Sequence, residues 1–246
     1  MKTQDKLDEY LKILSLHWIR DNHISEVERA IKAKLSYKEF LLNAVQQEVI
    51  SKIDRSINRR LQTSGLPSIK KLEDFDFSFQ PQLNEKLIRE LANLDFLSEA
   101  KNLLFLGPPG VGKTHLAIAF AVKACNQRKR VAFYTAERIV NYLAESVVSG
   151  QYNKVITTLS KIDLLIIDEL GYIELTQKTA ELFFRLIAAR YEKKSTVITS
   201  NKPFEEWGNI FHDDIVASAI LDRLLHHSYH FFIQGDSYRV RKFEKK

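Results

Sequence analysis

Gly107-Pro108-Pro109-Gly110-Val111-Gly112-Lys113-Thr114 follows an apolar run at residues 102–106 and opens a segment of helical periodicity at residues 113–127. The spacing of its glycines, lysine and threonine matches the phosphate-binding loop, which lies between a strand and a helix. Glycines allow backbone amides to approach phosphate oxygens, and the N-terminus of the following helix adds its positive dipole end. We therefore predict a nucleotide site, with Lys113 beside the β and γ phosphates and the Thr114 hydroxyl as a ligand of Mg²⁺.

Two carboxylates end the next strongly apolar run. Residues 164–167 are Leu-Leu-Ile-Ile, and Asp168 and Glu169 follow them directly. This pattern is typical of a central parallel strand that carries acidic side chains at its C-terminal edge. We expect Asp168 to hold the Mg²⁺ ion through water and Glu169 to polarise the attacking water as a general base. The pair predicts hydrolysis of ATP in addition to binding.

A third strand-like segment, residues 197–200, ends in polar residues and is followed by Asn201. The Asn201 amide reaches the γ-phosphate and orients water only if this strand lies between the strand before the phosphate-binding loop and the strand that ends at Asp168. The linear sequence does not contain that strand order. An asparagine after a strand is also typical of a turn, so both interpretations stay open.

Short apolar runs alternate with longer helical patterns throughout the second part of the chain. The predicted strands are residues 102–106, 130–135, 164–168, 196–200 and 229–233, and the predicted helices are residues 113–127, 137–149, 152–160, 178–192 and 214–226. This alternation predicts an α/β fold of the P-loop NTPase type, with a largely parallel sheet that is covered on both faces.

The start of the chain has a different character. Glycine is absent before Gly65 and proline before Pro67, while apolar residues recur at helical spacing. We predict a small all-helical N-terminal domain for DNA or partner binding at residues 1–66, an extended connector at 67–84 and the ATPase domain at 85–246. The connector carries alternating phenylalanines, Phe75, Phe77 and Phe79. Their spacing fits either anchoring in the core or packing against adenine.

Composition narrows the class of protein. Of 246 residues, 45% are hydrophobic and 28% are charged, which excludes collagen-like, mucin-like and wholly disordered chains. The net charge of +6 favours polyanionic partners. The single cysteine, Cys125, fits a reducing compartment, and its apolar neighbours predict a buried, unreactive thiol. We find no signal peptide and no apolar run of membrane-spanning length, so we expect a cytoplasmic protein without membrane association.

Basic residues cluster near the end of the helical region. Lys52, Arg55, Arg59 and Arg60 follow one another at helical spacing, and apolar residues form the opposite stripe. A cationic helix face suits contacts to DNA phosphates without base readout, although an ordinary solvated face has the same pattern. The basic C-terminal tail from Arg239 onward is a second candidate for DNA contact.

Four segments together carry a family resemblance. They are GPPGVGKTHLAIA from residue 107, LLIIDELGY from residue 164, TSNKPFEEWG from residue 199 and AILDRLLHHS from residue 219. In this order and spacing they resemble the IstB-like family of AAA+ ATPases, the helper proteins encoded by insertion sequences, a family close to the replicative helicase loader DnaC. The resemblance implies a protein that uses ATP and Mg²⁺, binds double-stranded DNA, forms homo-oligomers on it and assists its cognate transposase in choosing target DNA.

The resemblance also implies roles for individual residues. Lys113 and Thr114 match the first nucleotide-binding motif of the family, Asp168 and Glu169 match the second, and Asn201 matches the γ-phosphate sensor.

Two arginines complete this set. Arg223 matches the arginine that loaders of this clade donate to the ATP of the neighbouring subunit, and Arg239 resembles the second sensor arginine of the loader. The guanidinium of Arg223 would stabilise the charge on the transferred phosphoryl group. Because a neighbouring subunit supplies this arginine, hydrolysis would depend on assembly. The alternative for Arg223 is an ion pair with Asp222 or with another exposed carboxylate.

Three other functions remain open at this point. A DnaC-like helicase loader shares the chemistry but has a different partner. A small-molecule kinase uses the same loop, and a DNA-binding scaffold would keep ATP as a structural ligand.

Overall fold

We describe a computed structural model of the chain over residues 3–238 and 240. Contacts divide the chain between Arg59 and Arg60 into two compact units. The sequence pattern put the end of the helical domain at residue 66. Residues 60–66 instead belong to the second unit, where the Ser64 carbonyl accepts a hydrogen bond from the backbone of Phe133 at 2.7 Å.

The first unit is helical, as predicted. Its helices are α1 (Thr3–Ile13), α2 (His17–Lys32) and α3 (Tyr37–Thr63), the last of which ends beyond the division. Glu48 of α3 is buried inside this unit. One of its carboxylate oxygens accepts a hydrogen bond from Ile19 N at 2.9 Å, so it satisfies an amide in the first turn of α2.

The second unit is an α/β fold. Its strands are β1 (Asn102–Leu106), β2 (Val131–Thr135), β3 (Leu164–Leu170), β4 (Ser195–Ser200) and β5 (Ser228–Phe232). Its helices are α4 (Glu85–Leu91), α5 (Lys113–Asn126), α6 (Ala136–Val148), α7 (Tyr152–Ser160), α8 (Gln177–Arg190), α9 (Trp207–Phe211) and α10 (Asp214–Leu225). The predicted α/β fold is confirmed, with the predicted strands and helices in the predicted order; α4 and α9 are additional helices that the sequence pattern did not indicate.

The five strands form one parallel sheet with the order β2-β3-β4-β1-β5. Apolar side chains cover both faces in two core clusters, which explains why the central strands are almost continuously apolar. Since β4 lies between β1 and β3, the carboxyl ends of these three strands meet at one edge of the sheet. This edge carries the candidate functional residues.

The connector at residues 67–84 is not extended throughout, and this corrects the prediction. It contains two single-turn 3-10 helices, Leu72–Asp74 and Phe77–Phe79. The second is favoured by the Asp76 carboxylate, which accepts a hydrogen bond from Ser78 N at 3.0 Å. The connector also contacts α5, because His115 Nε2 lies 2.9 Å from the Lys71 carbonyl oxygen.

Among the described helices, none has the length and apolar composition needed to cross a membrane.

Candidate nucleotide-binding site

The phosphate-binding loop joins β1 to α5 with three glycines in the left-handed region of backbone conformation. At Gly107, φ is +146°, and a Cβ would lie 2.0 Å from the Ile233 carbonyl oxygen. At Gly112, φ is +103°, and a Cβ would lie 2.6 Å from the Phe75 ring. Both positions therefore require glycine, because a side chain would be strained and would also collide with its neighbour.

Lys113 begins α5 and folds back over the loop. Its ammonium donates hydrogen bonds to the carbonyls of Gly107 and Pro108 at 2.6 and 2.7 Å. These contacts hold the charge at the loop, which is where the sequence predicted phosphate neutralisation.

Two hydroxyls meet one carboxylate oxygen where α5 begins and where β3 and β4 end. The Thr114 hydroxyl of α5 donates to Asp168 Oδ1 at 2.8 Å. The Thr199 hydroxyl of β4 donates to the same oxygen at 2.5 Å. Asp168 is 4% exposed, so these two donors compensate for the lost solvation of a buried carboxylate.

Glu169 follows at a β-bulge. The pairing of β3 with β4 shifts register between Ile167 and Leu170, and Glu169 has φ of +64°. A non-glycine residue in this conformation is strained, and such strain is common at functional sites. The backbone amide of Glu169 donates to the Thr199 hydroxyl at 2.9 Å, which supports the bulge. The bulge leaves the Glu169 side chain exposed beside the buried Asp168.

Asn201 follows β4 directly, and β4 has the central position that the γ-phosphate role requires. Its side-chain oxygen Oδ1 is buried and has no hydrogen-bond partner among the described residues. Gly171 allows this close packing, because a Cβ there would lie 2.4 Å from the same oxygen. The geometry thus meets the condition that the sequence left open.

The residues present fit both a phosphate group and Mg²⁺. Glycines at positive φ leave the backbone of the loop accessible, and Lys113 supplies a positive charge. Thr114 and Asp168 offer the hydroxyl and carboxylate oxygens that Mg²⁺ prefers. These two residues would hold the ion, which supplies charge neutralisation at the β and γ phosphates.

A cavity of about 370 Å³ lies beside the loop. The connector, the loop, the first turns of α5 and Tyr238 line it, and Phe75 and Phe79 are among the connector residues that do so. Phe77 is not a lining residue; it packs against the core. Phe75 also packs against the core, so core anchoring is observed for Phe75 and Phe77, and packing against adenine stays a prediction.

Arg223 lies on α10. Its guanidinium donates to the Ala219 carbonyl at 2.8 Å and lies 4.7 Å from the ring centroid of Phe184. Within the described part of the chain its contacts are this carbonyl and this ring and not the Asp222 carboxylate, and it is not among the residues that line the cavity beside the loop. The ion pair that the sequence allowed as an alternative is absent there.

The four basic residues of the predicted DNA-binding face differ in their contacts and exposure. Arg55 donates from Nη2 to the buried Glu48 carboxylate at 2.8 Å, so its charge is already compensated inside the first unit. Arg60 belongs to the second unit, where its Nη1 lies 3.5 Å from the Lys129 carbonyl oxygen. Lys52 and Arg59 are exposed. All four residues lie on α3, and DNA contact by this face stays a prediction.

Arg239 and residues 241–246 lie outside the described residues, so the second-sensor role and the basic tail remain predictions.

Two residues near the site do not stand out as functional residues in the sequence. Thr199 is one, although its position at a polar strand end was visible. Gln80 is the other: it lines the cavity, and neither apolar periodicity nor a motif distinguishes it.

Similarity to known proteins covers nearly the whole chain. The profile of the family described as IstB-like ATP binding protein matches residues 9–246. An ATP-binding protein of insertion sequence IS21 from Pseudomonas aeruginosa is 44% identical over 98% of this chain and 91% of its own length. The corresponding protein of IS5376 from Geobacillus stearothermophilus is 41% identical over 97% of this chain and 95% of its own length.

Solved structures show the same fold. A crystal structure of the DnaC helicase loader superimposes with a TM-score of 0.53 and 25% identity, over 71% of this chain and 98% of that one. AMPPCP-bound DnaA from Aquifex aeolicus superimposes with a TM-score of 0.60 and 20% identity, over 74% of this chain and 55% of that one. Together with the loop and the acidic strand end, the sequence match shows that the chain belongs to the IstB-like family of insertion-sequence ATP-binding proteins, related to the DnaC loader.

Proposed function

We propose that this protein is a Mg²⁺-dependent ATPase that works as a DNA-bound oligomer in insertion-sequence transposition. One observation carries the ATPase part: Asp168 is joined by hydrogen bonds to Thr114 of the phosphate-binding loop and to Thr199 of the central strand. This network brings Thr114 and Asp168, the two proposed Mg²⁺ ligands, and the neighbouring Glu169 to one sheet edge.

In the proposed reaction each residue has a separate task. Lys113 leaves its loop carbonyls and neutralises the β and γ phosphates. Glu169 accepts a proton from the attacking water, and its exposed carboxylate is accessible to that water. Asn201 presents Oδ1, which has no partner among the described residues, as an acceptor that orients the same water.

We further propose that Arg223 completes the site of a neighbouring subunit. Within the described residues its guanidinium contacts a backbone carbonyl and an aromatic ring and no carboxylate, and it does not line the cavity of its own chain. An arginine with these two properties is suited to stabilise transition-state charge on another subunit.

The proposed biological role is that of a helper that binds double-stranded DNA and regulates its cognate transposase. The net charge of +6 and the exposed Lys52 and Arg59 support attraction to DNA phosphates. The first unit also exposes large apolar side chains such as Tyr37 and Ile31, and exposed apolar surface is typical of protein-binding sites. The insertion-sequence relatives favour a transposase as that protein partner.

A helicase loader is the second candidate, and the superposition on DnaC supports it. Purification of the tagged protein with ATP and DNA from cells that contain both a transposase and a replicative helicase separates the two roles. Recovery of the transposase supports the proposal, and recovery of the hexameric helicase without transposase overturns it in favour of the loader.

The ATPase proposal is tested with Lys113→Ala, which removes the charge opposite the phosphates. We expect ATP binding to be lost in a direct titration, and phosphate release to be lost with it. Wild-type protein should release phosphate faster when duplex DNA is present. Transfer of phosphate to a small molecule would indicate a kinase, and ATP binding without any turnover would indicate a scaffold.

A further inference from the structure

The cavity beside the phosphate-binding loop is lined by a polar side chain that has no role in the proposed ATPase reaction. Gln80 lines this cavity and is only 2% exposed. Its side-chain nitrogen Nε2 is buried and donates to no acceptor in the described part of the chain. Native proteins rarely keep a buried amide unpaired unless a ligand, a water or an ion satisfies it.

The backbone around Gln80 is firmly held. Its amide donates to the Phe77 carbonyl at 3.0 Å, and its carbonyl accepts from Leu83 N at 3.0 Å. The side chain also lies against Gly235, where a Cβ would be 3.5 Å from Gln80 Oε1. The unpaired nitrogen is therefore a feature of an ordered segment.

The walls of the cavity suit a flat aromatic ligand. The rings of Phe79 and Tyr238 lie 5.2 Å apart at an angle of 78°, and both residues line the cavity. Phe75 rests against Gly112 of the loop, so the aromatic part of the cavity adjoins the phosphate-binding part. The cavity combines aromatic rings with polar side chains, and two of the polar ones, Gln80 and Lys113, are buried. Buried polar groups at defined positions in such a site fix the orientation of a ligand.

We propose that Gln80 recognises the base of the bound nucleotide by donating a hydrogen bond from Nε2 to a ring nitrogen of adenine. This inference rests on the proposed ATP site and adds base recognition to it. Phosphate contacts are common to all nucleoside triphosphates, whereas an amide in the base cavity distinguishes a ring nitrogen acceptor from a ring N–H or C–H group.

The test is a thermodynamic cycle on full-length protein with Mg²⁺. The ligands are ATP, its 1-deaza, 3-deaza and 7-deaza analogues, and tripolyphosphate. Each analogue replaces one ring nitrogen with C–H. We expect wild-type protein to bind one of the three analogues about tenfold more weakly than ATP, the effect of one lost hydrogen bond.

The variant is Gln80→Met, which keeps the length of the side chain and removes the donor. It should bind ATP about tenfold more weakly than wild-type protein, and it should no longer distinguish the affected analogue from ATP. Its affinity for tripolyphosphate should be unchanged. Its melting temperature without nucleotide should not fall, because the substitution removes a buried unpaired amide. Gln80→Leu provides a second apolar replacement with the same expected result.

The controls distinguish an error in the role of Gln80 from an error in the proposed ATP site. Gln82→Leu changes an exposed glutamine in the same connector and should bind every ligand like wild-type protein. If both Gln80 variants retain wild-type ATP affinity, or lose tripolyphosphate by the same factor as ATP, base recognition by Gln80 is wrong. If Lys113→Ala also binds ATP normally, the error lies in the ATP site itself.

Discussion

The Thr199 hydroxyl lies 2.5 Å from Asp168 Oδ1 and 2.9 Å from the backbone nitrogen of Glu169. The hydroxyl has one proton, which it donates to the carboxylate, and it accepts the Glu169 N–H with a lone pair. One side chain of β4 therefore positions both acidic residues of β3.

Thr199→Val tests this positioning role. The change keeps a β-branched shape but leaves the Glu169 amide unpaired and Asp168 with one donor fewer. We expect ATP hydrolysis to fall at least tenfold while ATP binding changes little, and the free energy of unfolding to fall by about 1–3 kcal/mol. Steady-state phosphate release, nucleotide titration and denaturant unfolding measure the three quantities. Thr199→Ser should restore hydrolysis, and equal losses in the serine and valine variants would contradict the role of the hydroxyl.

Glu169→Gln tests the general base. The amide keeps the shape of the side chain and cannot accept a proton from water, so hydrolysis should fall by about 10²–10⁴-fold. ATP affinity should stay within a few fold of wild type, and the DNA-bound assembly should persist longer after ATP addition. Glu174→Gln is the matched control, because Glu174 is an exposed carboxylate in the following loop. Turnover near the wild-type rate would assign the base to another group.

Arg223→Ala tests the shared site. The variant should bind ATP but hydrolyse it poorly, since the missing charge belongs to the site of the neighbour. Mixed with Lys113→Ala protein, it should regain part of the activity, because some interfaces then contain an intact loop and an intact arginine. Phosphate release is measured across mixing ratios, together with the fraction of mixed assemblies. Mixed assemblies without recovered activity would favour a structural role for Arg223.

Substitution of Lys52 and Arg59 tests the proposed DNA contact. Replacing both with Gln should weaken duplex binding about equally for unrelated sequences, because phosphates carry no base information. The slope of log affinity against log salt should become shallower by about 1.8, or about 0.9 for each phosphate contact. Arg55→Gln is the comparison: it breaks the pair with buried Glu48, so it should lower the melting temperature without this change in slope. An unaltered slope in the folded double variant would assign DNA contact to other residues.

Cys125 gives a pH-dependent prediction. Burial raises the pKa of its thiol to about 11, although Arg60 opposes the shift. The reactive thiolate is therefore about one part in a thousand at pH 8, against about a quarter for an exposed cysteine. We expect slow alkylation of the native protein at pH 8, an increase of about tenfold per pH unit up to pH 10, and rapid alkylation after unfolding. Fast reaction of the folded protein at pH 8 would show that the thiol is accessible.

Local sequence features determined much of this protein. The phosphate-binding loop, the acidic end of β3 and the parallel α/β fold follow from contiguous spacing and apolar periodicity, because glycine conformation, helix periodicity and strand burial act over a few neighbouring residues. Those signals also located Lys113, Thr114 and Asp168 at the ends of their elements.

Tertiary structure alone decided how these pieces meet. It put β4 between β1 and β3, joined Thr199 to Asp168, left Gln80 Nε2 without an acceptor among the described residues and paired Arg55 with Glu48. Each of these relationships depends on which distant residues the packed core brings together. A helix or strand period reports which face is buried, but the choice of partner on that face depends on the free energy of the whole fold.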